Sequence, residues 1–358
     1  MELYWSIYLV IALFSLFEIN STSQKRSLYL FYIAITVLFC LSFMRWERGT
    51  DWKAYYNLFT YGLPSWDLHT ENGYVLFNKI IRYFTDNYTF FLLVQSLVYY
   101  SFLISIFRKI NLYIQANFQS CPYLYCTLLL FLFSQNFAGI YMVRSTLAYI
   151  ICMHAFFDAL EHKKICFFSK ILIAFFIHRS SLLFLIVYPL INYVELNRKF
   201  ILILVVCAIS LFSFSHYIEP FLKMIGFVDY NMYLGGMKAG IIGIIKWGIV
   251  LLTMYLCRGE LRLKIYDNLT LIFLIGYLIY VWSCFFAPVA QRIAGLFMDS
   301  SLLWLPFFII YRLNARNIMY IILVLWGAIS LWASLSGSYG ELYCPYKFFW
   351  DTFNVKVF

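Results

Sequence analysis

Long apolar stretches, separated by short turns that carry Lys and Arg, are the feature that most constrains how this chain can fold. A helix that crosses a bilayer needs about 20 predominantly apolar residues, and stretches of roughly this length recur from residue 3 to residue 335. Of the 358 residues, 63% are hydrophobic and 12% are charged, whereas a soluble domain has about 25% charged residues. The sequence therefore predicts an all-α polytopic integral membrane protein.

About twelve transmembrane helices account for the apolar stretches, if the interrupted stretch 165–193 is two short spans that meet near His178. The other predicted spans are 3–19, 27–44, 88–107, 123–137, 140–160, 200–214, 240–257, 268–286, 290–311 and 318–335. A further helix, 74–84, has the spacing of a helix that lies along the membrane surface. No linker divides the chain, so the sequence indicates one membrane domain, 1–335, with a polar segment, 45–87, and a tail, 336–358.

The basic residues indicate which side of the membrane each turn occupies, because cytoplasmic loops are enriched in Lys and Arg. With twelve crossings, all the compact basic turns fall on one side; they contain Lys25-Arg26, Arg108-Lys109, Lys163-Lys164, Arg198-Lys199, Arg258-Arg262-Lys264 and Arg312-Arg316. That side is predicted to be cytoplasmic, so the polar segment, the tail and both termini face outward. The reverse topology stays open, but it would place all of these basic turns outside.

The formal charge of +10 does not indicate a nucleic-acid partner. The basic residues are scattered over short loops rather than gathered on one face, so membrane topology explains the charge better. The nine cysteines contain no CxxC pair, and no two histidines share a convincing ligand spacing with a carboxylate. We therefore predict neither a metal site nor a cofactor.

The polar stretch 45–59, RWERGTDWKAYYNLF, follows the second predicted span and is unusually dense in charge. It combines charged and aromatic side chains, namely Arg45, Glu47, Arg48, Asp51 and Lys53 with Trp46, Trp52, Tyr55 and Tyr56. A loop that solvates a helix end would explain such a stretch. A site for carbohydrate and phosphate would explain it too, since Arg binds phosphate through a planar fork, Asp can accept a hydroxyl proton, and aromatic rings stack on sugars.

Five segments, in chain order, resemble the EpsG-like branch of the Wzy-type O-antigen and exopolysaccharide polymerases. They are RxxxGTDWxxYxxxF at 45–59, ENGYVLFNKII at 71–81, YMVRSTLAYI at 141–150, IAFFIHRSSLL at 173–183 and VAQRIAGLFMDSSLLWLP at 289–306. The resemblance implies a glycosyltransferase type C-like, multi-pass enzyme of the bacterial inner (plasma) membrane, with its active site facing the periplasm or cell exterior. It also implies an undecaprenyl-pyrophosphate-linked oligosaccharide as substrate, and membrane lipid and a Wzz-like chain-length regulator as partners.

Several arginines at predicted outer helix ends are candidates to bind the pyrophosphate. Arg at a helix end often simply reaches the headgroups, but a pyrophosphate without a metal must be neutralised by cations. The resemblance points to arginines for this role. The predicted substrate-binding residues are Arg45, Arg48, Tyr55, Glu71, Arg144, Arg179, Gln291 and Arg292.

Two residues compete as the catalytic base. Asp51 lies in the GTD of the first motif, and His178 lies at the break between the two short spans. Glu71 is a third candidate, and a lone His in an apolar stretch is also commonly structural. The sequence does not decide between them.

The predicted function is an O-antigen type polysaccharide polymerase that joins lipid-linked repeat units. An O-antigen ligase or a lipid-linked oligosaccharide flippase is the alternative. A ligase usually has one larger outer loop, and a flippase should show internal repeats and a charged path through the membrane. An acyltransferase would need a His-centred motif; His154 and Asp158 have an HxxxD spacing but fall on the side predicted to be cytoplasmic.

Overall fold

The computed structural model describes most of the chain, and every regular element in the described ranges is a helix. One isolated antiparallel bridge joins Arg45 and Phe348. The described residues are 1–21, 23–49, 51–62, 71–118, 122–135, 137–141, 144–195, 197, 202, 206, 240–261, 264–283, 293–299, 303–306, 316–337 and 340–351.

The helices are numbered in chain order. They are α1 (Glu2–Ile19), α2 (Gln24–Met44), α3 (Trp52–Tyr61), α4 (Asn72–Phe84), α5 (Tyr88–Asn117), α6 (Tyr125–Gln135), α7 (Arg144–Leu160), α8 (Lys164–Ile177), α9 (Val187–Tyr193), α10 (Ile241–Leu261), α11 (Lys264–Ser283) and α12 (Arg316–Ser336). Short 3₁₀ segments occupy Phe137–Ile140, Arg179–Ile186 and Gly340–Leu342.

Five helices in the described part of the chain are long and apolar enough to cross a membrane. They are α1, α2, α5, Ile265–Trp282 within α11 and Asn317–Ser336 within α12. Large apolar side chains on these helices, such as Leu13, Phe17 and Leu325, are exposed, as suits helices that face lipid. The protein is therefore an all-helical, membrane-embedded protein, and the number of twelve crossings stays a prediction.

Several predicted boundaries agree with the observed helices. The predicted spans 3–19, 27–44 and 318–335 match α1, α2 and α12 within a few residues, and the predicted helix 74–84 lies within α4. The predicted break in 165–193 is also observed, because α8 ends before His178 and a 3₁₀ segment follows it. The predicted span 200–214 and most of 290–311 lie outside the described residues.

The third span differs from its prediction, because α5 does not end at Arg108 and Lys109 but continues to Asn117. No Gly or Pro interrupts residues 108–117, so the basic pair ends the apolar window without ending the helix. Arg108 instead donates a hydrogen bond to the Tyr32 hydroxyl of α2. At 1.5 Å per residue, 30 residues extend about 45 Å, well beyond a hydrocarbon core of about 30 Å.

Two compact units divide the chain. The first contains residues 1–155, 169–179 and 309–358, and the second contains 156–168 and 180–308. In the second unit, α9 and α10 pack against α11, and Phe184 stacks on Phe297. The interpretation of residues 1–335 as one membrane domain with a separate tail stays a prediction.

In the first unit, the short helix α6 lies at the centre. It packs against α1, α2, α5 and α12, and residues 125–131 are all buried. Its eleven residues extend only about 17 Å, so its first N–H groups must find partners within the protein. Other helices supply them, since the Asn111 side chain accepts from the Leu124 N–H at 2.7 Å.

Glu18, in the last turn of α1, provides the main cap of α6. Its carboxyl oxygens accept hydrogen bonds from the N–H groups of Cys126 at 3.1 Å and Thr127 at 3.0 Å, and from the Thr127 hydroxyl at 3.1 Å. Glu18 is buried. Carboxyl oxygens at a helix N-terminus satisfy its free N–H groups, so Glu18 joins α1 to α6.

Replacement of Glu18 by Ala should destabilise the protein, because it leaves buried N–H groups of α6 without their acceptor. Leaving a buried donor without its acceptor costs about 1–3 kcal/mol, so the melting temperature of the purified protein in detergent should fall clearly. Glu2→Ala, at the exposed start of the same helix, is the matched control and should melt like the wild type. An unchanged melting temperature for Glu18→Ala would contradict this assignment.

Candidate functional site

The loop after α2 carries the first motif, and the C-terminal tail holds it. The Trp46 N–H donates to the Lys347 carbonyl at 2.9 Å, and the Gly49 N–H donates to the Leu342 carbonyl at 3.1 Å. Lys347 Nζ also contacts Glu47 Oε2 at 3.0 Å. The tail therefore shapes the segment that presents Arg45 and Arg48.

Arg45 is 3% exposed, and its guanidinium carbon lies 5.5 Å from the centre of the Tyr141 ring, a cation–π distance. It also borders a small cavity lined largely by polar side chains of α2, α5 and α7, among them Ser42, Gln95, Ser96 and Thr146. Arg45 is thus held inside the first unit rather than extended toward headgroups.

Gly49 is required at its position for two reasons. Its φ of +104° lies in the region that L side chains rarely adopt. A Cβ atom there would also lie 3.2 Å from the Tyr141 Cβ and 3.3 Å from the Tyr141 carbonyl oxygen. Gly49 therefore allows the loop to lie directly on Tyr141. Beside it, Arg48 Nη1 reaches the Glu341 carbonyl of the tail at 3.4 Å.

The remaining residues of the first motif form an aromatic cluster on α3. Tyr55 is 5% exposed and packs edge-on against Tyr74 of α4, so its side chain belongs to the core between α3, α4 and α5. Trp52 and Tyr56 are stacked, with ring centres 4.9 Å apart. Asp51 precedes α3, is exposed, and does not cap the helix with its side chain.

Glu71 is the residue on which three of the predicted motifs converge. Its Oε2 accepts a hydrogen bond from Arg144 Nη1 at 2.7 Å, and its Oε1 accepts from the backbone N–H of Arg179 at 2.9 Å. His178 Nδ1 lies 3.4 Å from the same Oε1. The side chains of Glu71, Arg144 and His178 are 9%, 12% and 18% exposed, so the cluster is largely shielded from water.

The close approach of α4 to α8 explains how Glu71 reaches this place. Glu71 is the residue before α4, with an extended backbone. A Cβ atom on Gly73 would lie 2.5 Å from the Phe176 Cβ and 2.6 Å from the Phe176 carbonyl oxygen. Because Gly73 has no side chain, the first turn of α4 lies directly on the end of α8, and Glu71 lies beside His178 and Arg179.

The electrostatics of the cluster keep Glu71 ionised. Burial by itself would raise the pKa of its carboxyl group, but the contacts with His178, Arg144 and the Arg179 N–H outweigh burial and lower the pKa below its usual value. Glu71 is therefore a carboxylate at neutral pH, surrounded by groups that donate hydrogen bonds or carry positive charge. The Tyr149 ring, from α7, lies next to the imidazole at 5.9 Å.

The structure thus brings together four of the predicted site residues, which are Glu71, Arg144, His178 and Arg179. It places Arg45 and Arg48 at the junction of the loop and the tail, Tyr55 in the aromatic core, and Asp51 at the surface. Gln291 and Arg292 lie outside the described residues. The role of each in binding or catalysis stays a prediction. Within the described part of the chain, no group of three or more His, Cys, Asp or Glu residues is placed to hold a metal ion.

The sequence did not reveal that Glu71 contacts the motifs at 141–150 and 173–183, or that the tail holds the first motif. The signal for Glu71 was weak, since it was one carboxylate in the segment ENGYVLFNKII. Gly73, two residues later, was a further indication, because a Gly within a helix pattern can mark a close packing contact.

These motifs lie inside one long match to a family model, which covers residues 28–348. The chain belongs to the EpsG family. The resemblance of the five motif segments is thereby confirmed, and it indicates a function of the polysaccharide polymerase type. Neither a curated protein nor a solved structure matches the chain.

Replacement of Gly73 by Ala should separate Glu71 from His178 and Arg144. Ala normally stabilises a helix relative to Gly, by about 0.5–1 kcal/mol, so a fall in the melting temperature would report the clash with Phe176. The control is Gly240→Ala, because a Cβ there meets no atom within 4 Å. We expect Gly73→Ala to melt lower and to lose activity, and Gly240→Ala to do neither. A Gly73→Ala protein that is as stable as the wild type would show that this contact is not close.

Proposed function

We propose that the protein is a polysaccharide polymerase of the glycosyltransferase type, which joins undecaprenyl-pyrophosphate-linked oligosaccharide repeat units on the outer face of the bacterial plasma membrane. The observation that carries this proposal is the cluster of Glu71, Arg144, His178 and Arg179 in a member of the EpsG family. Positive charge beside a potential base is what transfer from a lipid pyrophosphate requires.

The proposed reaction needs two functions from the protein. A hydroxyl of the acceptor repeat unit attacks the anomeric carbon of the donor glycan, while the bond from that carbon to the pyrophosphate oxygen breaks. The lipid pyrophosphate leaves with the electron pair and must be neutralised. The hydroxyl proton must go to a base. Pyrophosphate is a good leaving group, so charge neutralisation is expected to matter at least as much as the base.

Arginines supply the positive charge in this proposal. Arg179 donates its backbone N–H to Glu71, and the residue is exposed, so in this proposal its guanidinium is available to the pyrophosphate. Arg144 is more enclosed than Arg179 and forms an ion pair with Glu71. Arg45, Arg48 and Arg292 are further candidates for the pyrophosphate, and Gln291 and Tyr55 for the substrate as a whole.

The base is Asp51 or His178, and the two differ in surroundings. Asp51 is exposed beside the aromatic cluster of α3, where it could meet a sugar from solution. His178 is mostly enclosed and lies next to Glu71. We also propose that the site faces outward, as the distribution of basic residues predicts. A Wzz-like chain-length regulator is a proposed partner.

Polymerisation by the purified protein tests the function directly. The protein, reconstituted in nanodiscs with a lipid-linked repeat unit, should form a ladder of glycans that differ by whole repeats and should release lipid pyrophosphate. Asp86→Asn is a suitable control, since that side chain is 87% exposed, and should give the same ladder. A flippase would form no covalent product, and a ligase would need lipid A core as acceptor; either result would contradict the proposal.

A double-variant cycle tests whether Arg144 binds the pyrophosphate or only neutralises Glu71. Arg144→Ala alone is ambiguous, because breaking a buried ion pair costs about 3–5 kcal/mol of stability. In a Glu71→Gln protein no buried carboxylate is left unpaired. If Arg144 binds substrate, adding Arg144→Gln there should still lower polymerisation by roughly 10- to 150-fold, the equivalent of about 1.5–3 kcal/mol.

A variant of an exposed ion pair serves as the control for this comparison. Lys163→Ala breaks the exposed contact of Lys163 with Glu161, and exposed ion pairs contribute about 0–1 kcal/mol, so this variant should be stable and active. If Arg144→Gln has no effect on polymerisation in the Glu71→Gln background, Arg144 serves only to stabilise the carboxylate.

A further inference from the structure

We infer that Glu71 is the positioning residue of His178, and that it holds the imidazole so that Nδ1 carries the proton and Nε2 is the basic nitrogen. The inference rests on the proposed function and deepens it, since it selects His178 over Asp51 as the base. It also gives Glu71 a role other than substrate binding.

The first support is the position of the imidazole. His178 Nδ1 is buried and forms no hydrogen bond within the described residues, yet a carboxylate oxygen of Glu71 lies 3.4 Å away. A buried ring N–H needs an acceptor. Catalytic hydrogen bonds are often long before substrate binds and shorten in the productive complex, so a small movement of the ring completes this contact.

The second support is the way in which Glu71 itself is held. Arg144 binds one oxygen at 2.7 Å, and the Arg179 N–H binds the other at 2.9 Å. The residue before α4 is also fixed by the close approach of Gly73 to Phe176. A carboxylate fixed at both oxygens, beside one ring nitrogen, is the arrangement that sets the tautomer and orientation of a catalytic histidine.

The third support is the charge of the groups around the ring. The charged groups that face this position are Glu71 at the start of α4, Arg144 on α7 and Arg179 next to His178 itself, with the neutral Tyr149 on α7. Glu71 is the anionic group among them. With it, an imidazolium formed during the reaction is stabilised by an adjacent carboxylate.

The proton balance of the step follows. The acceptor hydroxyl oxygen forms the new bond to the anomeric carbon, and its proton moves to Nε2 of His178. The bond to the pyrophosphate oxygen breaks, and that oxygen keeps the electron pair. His178 becomes an imidazolium whose Nδ1–H points to Glu71, and it later releases the Nε2 proton to water. Glu71 stays ionised throughout.

The first test is the pH dependence of polymerisation by the reconstituted protein. The wild-type rate should fall as the pH decreases from 7 to 5, and His178→Gln should abolish that decrease together with most of the rate. Glu71→Gln should lower kcat by about 10²-fold, within the roughly 10²–10⁴-fold that a general base contributes, with a smaller effect on KM. Its acid limb should move to lower pH, because a neutral amide no longer favours the imidazolium.

Glu71→Asp keeps the charge and should recover part of kcat and the position of the acid limb. If Glu71→Gln keeps a normal kcat, or leaves the acid limb where it is, the inference is overturned although polymerisation is intact. If Asp51→Asn abolishes turnover while His178→Gln does not, the inference is again wrong and the proposed function stands. Failure of the wild type to polymerise would instead refute the proposed function.

The second test needs no variant of Glu71, and so it does not depend on whether that variant folds. The ¹⁵N chemical shifts of the His178 ring, assigned by comparison with His178→Gln, report which nitrogen carries the proton. The inference expects the Nδ1–H tautomer at pH 8 in the full-length wild-type protein. A neutral ring protonated on Nε2 would overturn it.

Discussion

A buried carboxylate must be matched by hydrogen-bond donors, and this requirement shapes the part of the structure that carries the motifs. Glu71 lies where α4, α7 and the end of α8 meet, and it accepts one hydrogen bond from Arg144 of α7 and one from the Arg179 N–H just after α8. Removing water from a carboxylate is costly unless donors replace it. The contacts with Glu71 therefore hold Arg144, Arg179 and His178 close together, although these residues lie at the ends of separate helices.

The same physical solution occurs in the interior of the first unit, at Glu18. There, the carboxyl oxygens of a glutamate in α1 accept from the N–H groups at the start of α6, a short and largely buried helix. In a protein that is 63% hydrophobic, apolar packing has little directional preference, because lipid and protein interior are similarly apolar. A few buried polar contacts therefore decide which helices are neighbours and in which register they pack.

The helical class and many helix limits could be predicted from the sequence, because length and hydropathy are local properties. The break before His178 was predictable for the same reason, since four polar or charged residues interrupt an apolar stretch. The end of α5 was not, because the helix continues through Arg108 and Lys109, and the Tyr32 hydroxyl of α2 accepts a hydrogen bond from Arg108. The length of an apolar stretch shows how much of the chain suits the hydrocarbon core, whereas the length of a helix depends on how far its backbone hydrogen bonds continue.

The sequence by itself determined that this is an all-helical membrane protein, which segments carry polar motifs, and, through those motifs, its membership of the EpsG family. Only the tertiary structure decided which motif residues meet. Glu71, Arg144 and His178 are separated by 73 and 34 positions along the chain, and nothing in local propensity links them. Their contact depends on a missing side chain at Gly73, which lets two helices approach, and on the need of one buried carboxylate for donors. Both are properties of packing in three dimensions.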